Sequence, residues 1–293
     1  MKKNNGIGPW LFDGFNAALM LILVFVTLYP IYYMAVISVS DGIYVTRGDV
    51  KFFPAGFNWE AYKTILKDPA ILRSYGNTIM YTSLGTLINL AMTALCAYPL
   101  SRNNLQGKAV FTFLVILTMF FHGGMIPNYL VVNNLSLLDS IWAILLPPAI
   151  NVWYMIMMRT FFSNIPNELI ETAFIDGAND LKIFIRIVLP LSVPVLATMT
   201  MFYAVWHWNS FFPSMIYLTD KKLFPVQIIM RNIVVAGQMG NQNMAISGAE
   251  GVMVSAENIK YAVIIITILP ILAIYPFIQK YFVKGVMVGA LKG

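Results

Sequence analysis

The sequence predicts an all-α, polytopic membrane protein with six transmembrane helices. Of its 293 residues, 59% are hydrophobic and only 11% charged, whereas soluble domains carry roughly a quarter charged residues. The apolar residues are gathered into runs of membrane-spanning length, with the acidic residues confined to the intervals between them. Lysines and arginines near the ends of those runs set the direction of each crossing.

Lys2 and Lys3 precede the first run, about 15–39, and place the N-terminus inside. That run is too long for a signal-peptide core and lacks a small-residue cleavage site. Residues 41–74, polar and aromatic with Pro54, Gly56 and Pro69 as breakers, read as an external segment with short structure around Trp59 to Tyr62. Span 2, about 75–100, returns to a short inner loop flanked by Arg102 and Lys108. Span 3, about 109–131, is interrupted by Gly123-Gly124 and Pro127, and Pro147-Pro148 predicts a kink in span 4, about 141–161. Span 5, about 187–215, holds Pro190 and Pro194 towards the inside and Trp206, His207 and Trp208 towards the outside. Residues 216–258 form an external loop whose later part has no regular period and several glycines, which predicts flexibility. Span 6, about 259–282, leads to a tail carrying Lys284 and Lys292, so both termini are expected in the cytoplasm. The chain then divides into 1–74 (first helix and external segment), 75–282 (core, with interval 163–190 and external loop 216–258) and a cytoplasmic tail, 283–293.

Several functions are disfavoured by what is missing. Cys96 is the only cysteine and lies in an apolar run, which leaves no internal disulfide and no cysteine metal cluster. The net charge of +6 is dispersed and forms no stripe for nucleic acid. No Asp or Glu falls inside a predicted span, against coupling to an ion gradient. There is no G-x-x-x-x-G-K-[ST] loop, so the chain cannot itself be an ATPase. It also lacks H-E-x-x-H and G-x-S-x-G, and His122 and His207 stand in different spans, so no enzyme is expected.

One charged interval between membrane runs has the makings of a docking element. In 163–190, Leu169, Ile170, Ala173 and Phe174 recur at helical spacing, with Glu168 and Glu171 on another face and Pro166 suited to the first turn. Asp176-Gly177 halts that helix, glycine being the residue that takes the left-handed conformation without penalty. Asn179 can cap a second short helix with Leu181, Phe184, Ile185 and Val188 on one side, ending at Leu189-Pro190. Elsewhere, Phe121, His122, Tyr154, Trp206 and Asn209 lie in the outer halves of spans, where they either line a sugar path by stacking and hydrogen bonding or serve helix packing and an interfacial aromatic belt.

The spacing Glu171, Ala173, Asp176-Gly177-Ala178, Leu189-Pro190 resembles the EAA loop of binding-protein-dependent ABC importer permeases, with Thr172 in place of the usual middle alanine. The resemblance extends over nearly the whole chain, including a closing Gln279 to Gly285 like the family's Q-K-Y-F-V-K-G. It is similar to the smaller permease of carbohydrate-type pairs such as the maltose importer, and in general look to permeases for larger, acidic oligosaccharides such as alginate or pectin fragments. The resemblance implies a type I ABC importer fold, with the EAA helix pair on the cytoplasmic side between helices 4 and 5 of a bacterial inner-membrane protein. It also implies a second permease subunit as heterodimer partner, an ATPase dimer that would hold the ATP and Mg while this chain holds no cofactor, and an extracytoplasmic solute-binding protein. On that likeness Glu168, Glu171, Ala173, Asp176, Gly177, Ala178, Leu189 and Pro190 couple to the ATPase. Gly237, Gln238, Met239, Gly240, Asn241 and Gln242 belong to a loop that reaches the binding protein. A membrane scaffold or sensor that keeps the docking loop without transporting is the competing expectation.

Overall fold

The computed structural model describes residues 7–238, 246–247 and 253–290. In chain order the helices are α1 (Ile7–Ser38), α2 (Gly42–Arg47), α3 (Glu60–Lys67), α4 (Pro69–Ser101), α5 (Lys108–Phe120), α6 (Met125–Asn134), α7 (Trp142–Leu145), α8 (Val152–Ser163), α9 (Asn167–Ile175), α10 (Asp180–Ile183), α11 (Leu189–Leu191), α12 (Val193–Asn209), α13 (Phe212–Tyr217), α14 (Val226–Gln238) and α15 (Ala256–Ala290). A π-helical turn, Phe184–Val188, joins α10 to α11, and two-residue strands β1 (Ile246–Ser247) and β2 (Met253–Val254) pair antiparallel.

Among the described residues, three stretches are long and apolar enough to cross a membrane as single helices: Trp10–Ser38, Pro69–Ser101 and Ala256–Pro276. Two helix pairs pass the same test only together, α5 with α6 across a 113° bend and the Asp180–Leu191 stretch with α12 across an 81° bend. The differences from the predicted spans have local causes. Span 2 starts earlier than expected, because Pro69, expected as a breaker, sits at the first helical position, where its missing N–H costs nothing. Asp13, placed before span 1, falls within the helical Trp10–Ser38 stretch, near its end. Span 3 breaks at 121–124, where Gly124 takes φ +85 and Pro127 follows. The tandem prolines of span 4 do more than kink it: the helix ends after α7 and restarts at α8, which Asn151 caps by accepting the Tyr154 N–H at 3.2 Å. Within 216–258, predicted as loop, α14 forms a regular helix.

The chain separates into two compact units, 1–69 with 230–269, and 70–229 with 270–293. In the first, Val36, Ile37, Val45 and Val50 form a small core with Tyr33, Ala55 and Tyr261. The buried Asn258 amide donates to the carbonyls of Ile37 (2.7 Å) and Ser40 (2.9 Å), at and just beyond the end of α1.

In the second unit the organising element is α4, which is built inside out. Ser74, Thr78, Tyr81, Gly85, Asn89, Thr93, Ala97 and Ser101 recur every three or four residues and are all buried, while Leu72, Ile79, Leu87 and Leu95 on other faces are exposed. Such an arrangement suits a helix that shows its apolar side chains to lipid and its small and polar ones to other helices. The polar stripe closes the break in span 4. Asn89, fully buried, donates its amide to the Pro148 carbonyl and pairs through Oδ1 with His207 Nε2 at 2.6 Å. Thr93 pairs with the Tyr203 hydroxyl at 2.7 Å, and that hydroxyl accepts the Asn151 N–H at 3.3 Å. Backbone groups at the break, the Pro148 carbonyl and the Asn151 N–H, are thereby satisfied by side chains.

Candidate functional site

The interval 163–190 folds as helix, turn, helix. Helix α9 begins after Pro166, which stands at the N-cap with ψ 131° and not inside the first turn. Glu168 lies in that turn, where a carboxylate complements the helix dipole. Thr172, the departure from the usual alanine, turns its hydroxyl back to the Glu168 carbonyl at 2.7 Å, so it adds no exposed donor.

The turn at Asp176-Gly177-Ala178 is a Schellman closure. Gly177 has φ +76, its N–H bonds the Phe174 carbonyl at 3.0 Å, and the Ala178 N–H bonds the Ala173 carbonyl at 2.9 Å. Asp176 is the C-cap residue, and Asn179 caps the second arm by accepting the Lys182 N–H at 2.9 Å.

The two arms are only half covered, and by only half of the residues the α-helical spacing indicates. Ile170 and Ala173 are buried, but Leu169 (46%) and Phe174 (42%) are exposed, and Ile175 is 85% exposed. On the second arm Ile183, Phe184 and Val188 are buried while Leu181 (59%) and Ile185 (53%) are exposed. The inner face of the second arm is Ile183, Phe184, Ile187 and Val188, a helical stripe turned by about one residue from the expected one, which leaves Leu181 and Ile185 outside. Glu171 and Glu168 are exposed and lie apart from the ion pairs of Lys63 with Glu60 and Lys260 with Glu257. The hairpin thus presents carboxylates and apolar side chains without internal partners.

Its buried side is rooted in the main core. Ile170, Ala173, Ile183, Phe184 and Val188 share one cluster with Tyr98 of α4, Met158 and Phe162 of α8, and Met199 and Tyr203 of α12, with Ala178 and Leu189 packed against it. The chain turns through 81° at Ser192, between the exposed Pro190 and the half-buried Pro194. A displacement of the hairpin therefore bears directly on three helices of this unit, because close-packed interiors transmit strain.

The five candidate path residues are not gathered equally. Tyr154 stacks on Phe202 (ring centroids 5.3 Å) and meets Tyr203 edge-on at 5.0 Å, and Trp206 is 41% exposed next to the buried His207. Asn209 turns its amide to the Val205 carbonyl, while Phe121 and His122 stand exposed at the α5–α6 break. Of the proposed binding-protein loop, Gly237 and Gln238 lie at the end of α14, and Met239, Gly240, Asn241 and Gln242 lie outside the described residues. The expectation left Asn89, Thr93 and Gly85 unremarked; polar residues four apart in an apolar run were the available signal.

A second tie holds the polar turn before α7. Asp139, with φ +54, accepts from the Thr219 N–H and hydroxyl and the Asp220 N–H, and its own N–H donates to the Tyr217 carbonyl at 3.0 Å. The Thr219 hydroxyl first, then the two backbone N–H groups, hold its carboxyl below the ordinary 3.8. A lowered folded pKa gives stability that is complete above the ordinary value and lost as pH falls through the folded one. Asp139→Ala is expected to speed amide exchange at Thr219 and Asp220 at neutral pH, a state the wild type reaches only in acid; equal exchange at neutral pH would count against this tie.

Comparison with known proteins places these features in a family. A family model described as binding-protein-dependent transport system inner membrane component matches residues 15–288. A polygalacturonan/rhamnogalacturonan transport system permease protein of Bacillus subtilis is 40% identical over 97% of this chain and 99% of its own length. Protein LplC of the same organism is 41% identical over 92% of this chain and 90% of its own. Among solved structures, a chain of a bacterial ABC transporter involved in the import of the acidic polysaccharide alginate matches with a TM-score of 0.87 and 34% identity, covering 96% of this chain and all of that one.

Proposed function

The chain belongs to the binding-protein-dependent transport system inner membrane components, and on that premise we propose that it is one of two permease subunits of an importer that carries an acidic oligosaccharide across the cytoplasmic membrane. It is a multi-pass ABC transporter permease and not an enzyme, the ATPase being a separate subunit. The observation that carries the mechanism is the hairpin 163–190, exposed on its outer faces and rooted by its inner face in the core of three helices.

In this reading six crossings, two of them bent and one interrupted, put the hairpin and both termini in the cytoplasm. Glu168, Glu171 and the exposed Leu169, Phe174 and Ile175 fit a cleft on an ATPase dimer, which holds the ATP and Mg. Closure of the ATPases pushes α9; the push passes through Ile170, Ala173 and Phe184 to α4, α8 and α12 and reopens the path on the outer side. The long exposed apolar faces of α1 and α5 meet lipid or the second permease. The acidic-polysaccharide substrate is supported by the names of the relatives above, and Tyr154 and Trp206 are the path residues best placed to stack on sugar rings. Residues 237–242 reach the solute-binding protein on the outer face. Deleting 238–244 is expected to abolish ATPase stimulation by the loaded binding protein with assembly retained, and unchanged stimulation would remove this role.

Single cysteines test the coupling geometry. After Cys96→Ser, Ile175→Cys is expected to cross-link to the ATPase and, with Asn103→Cys, to react with an impermeant maleimide only in inside-out vesicles. Reaction at either site in intact cells would reverse the topology, and absence of cross-linking in an assembled complex would remove the docking role.

A further inference from the structure

Beside the hairpin lies a cavity of about 440 Å3 that the coupling reading does not use, formed where the end of α4 and the loop after it face the second arm. Its polar lining is Arg102, Asn104, Gln106, Asp180 and the Tyr98 hydroxyl, and Leu95, Leu105 and Leu181 are among its apolar residues. Arg102 has a buried Nε without a hydrogen-bond partner, and its guanidinium stands 5.2 Å from the Tyr98 ring centroid. Asp180 receives one long bond, 3.4 Å, from the Tyr98 hydroxyl and is otherwise exposed. Arg102 and Asp180 line the same cavity and make no ion pair with each other.

We propose that this cavity binds the phosphoethanolamine headgroup of a membrane lipid, with the phosphate on Arg102 and the ammonium on Asp180. A simple anion is repelled by Asp180 and a simple cation by Arg102, so a zwitterion satisfies both walls. A quaternary choline headgroup has no N–H to give Asp180 and is the poorer ligand. Leu95, Leu105 and Leu181 meet the glycerol and the first acyl carbons. The placement rests on the topology proposed above, which sets the end of α4 at the cytoplasmic headgroup layer. A headgroup bridging Arg102 and Asp180 ties α4 to the second arm, so membrane composition bears on the hairpin's stiffness and hence on coupling.

The test uses the assembled importer in vesicles containing a trace of phosphatidylethanolamine with a photoactivatable group near the glycerol, followed by identification of labelled peptides of this chain. Labelling is expected in 95–106 and 180–184, competed by unlabelled phosphatidylethanolamine and not by phosphatidylcholine or phosphatidylglycerol. Arg102→Gln and Asp180→Asn are each expected to weaken it about tenfold, the scale of one hydrogen bond to a charged group. Asp180→Asn keeps the side chain's shape, and ATPase retention on the same preparation reports that the hairpin is folded. Labelling that ignores both substitutions, or equal competition by phosphatidylcholine, overturns the site. The maleimide labelling of Asn103→Cys decides the topology independently, so the two failures are told apart.

Discussion

Replacing Gly177 by valine is expected to abolish the stimulation of ATPase activity by loaded binding protein and to release the ATPase on purification. At φ +76 a β-branched side chain adds backbone strain of about 1–3 kcal/mol. Relief of that strain means opening the two turn bonds, Gly177 to Phe174 and Ala178 to Ala173, that fix the angle between the arms. Among the described residues nothing beyond its chain neighbours lies within 4 Å of a Cβ built on Gly177, so an added side chain projects outward, towards the docking partner of the proposed reading. Gly177→Asn separates the two causes, because asparagine tolerates the left-handed region: it is expected to retain the ATPase with weakened stimulation. Wild-type stimulation and retention in Gly177→Val would mean that the hairpin is an interfacial element without a coupling role.

Gly85→Ala is expected to destabilise the assembled permease severely, although it adds one methyl group in the middle of a helix. A Cβ there would lie 2.8 Å from His207 Nδ1 and nearer still to Cε1 and Nε2. The ring cannot step aside freely: it is 4% exposed, and its Nε2 bonds Asn89, which holds the Pro148 carbonyl. Overpacking together with a lost buried hydrogen bond sets the cost at roughly 2–5 kcal/mol. The readout is the melting temperature of the purified importer, expected to fall in Gly85→Ala and to recover in part in Gly85→Ala/His207→Ala, where the ring is gone. An unchanged melting temperature in the single variant would show that α4 and α12 do not approach closely at this level.

The sequence carried the membrane class, the hairpin, the glycine turn and the Asn179 cap, because each depends on local chemistry. Composition fixes the solvent, Gly177 is one of few residue types that accept φ +76, and an asparagine before a short helix caps it. What it did not carry depends on neighbours. Helical spacing admits either Leu181 or Ile183 on the inner face, and it is packing against Tyr98, Phe162 and Met199 that turns Ile183 inward. Tandem prolines read as a kink, but an interrupted span is tolerable only because Asn89 and Tyr203, far away in sequence, satisfy Pro148 and Asn151. The same holds for Gly85, whose need to be glycine is set by His207 on another helix.

ATP-driven uptake into proteoliposomes tests the central claim most directly. The ATPase dimer, the partner permease and this chain are reconstituted together with ATP enclosed, and loaded binding protein with a labelled acidic oligosaccharide is supplied outside. The account predicts accumulation that requires this chain, enclosed ATP and the binding protein together, and that disappears in Gly177→Val. Accumulation without this chain, or accumulation driven by an imposed ion gradient with no ATPase present, would contradict it.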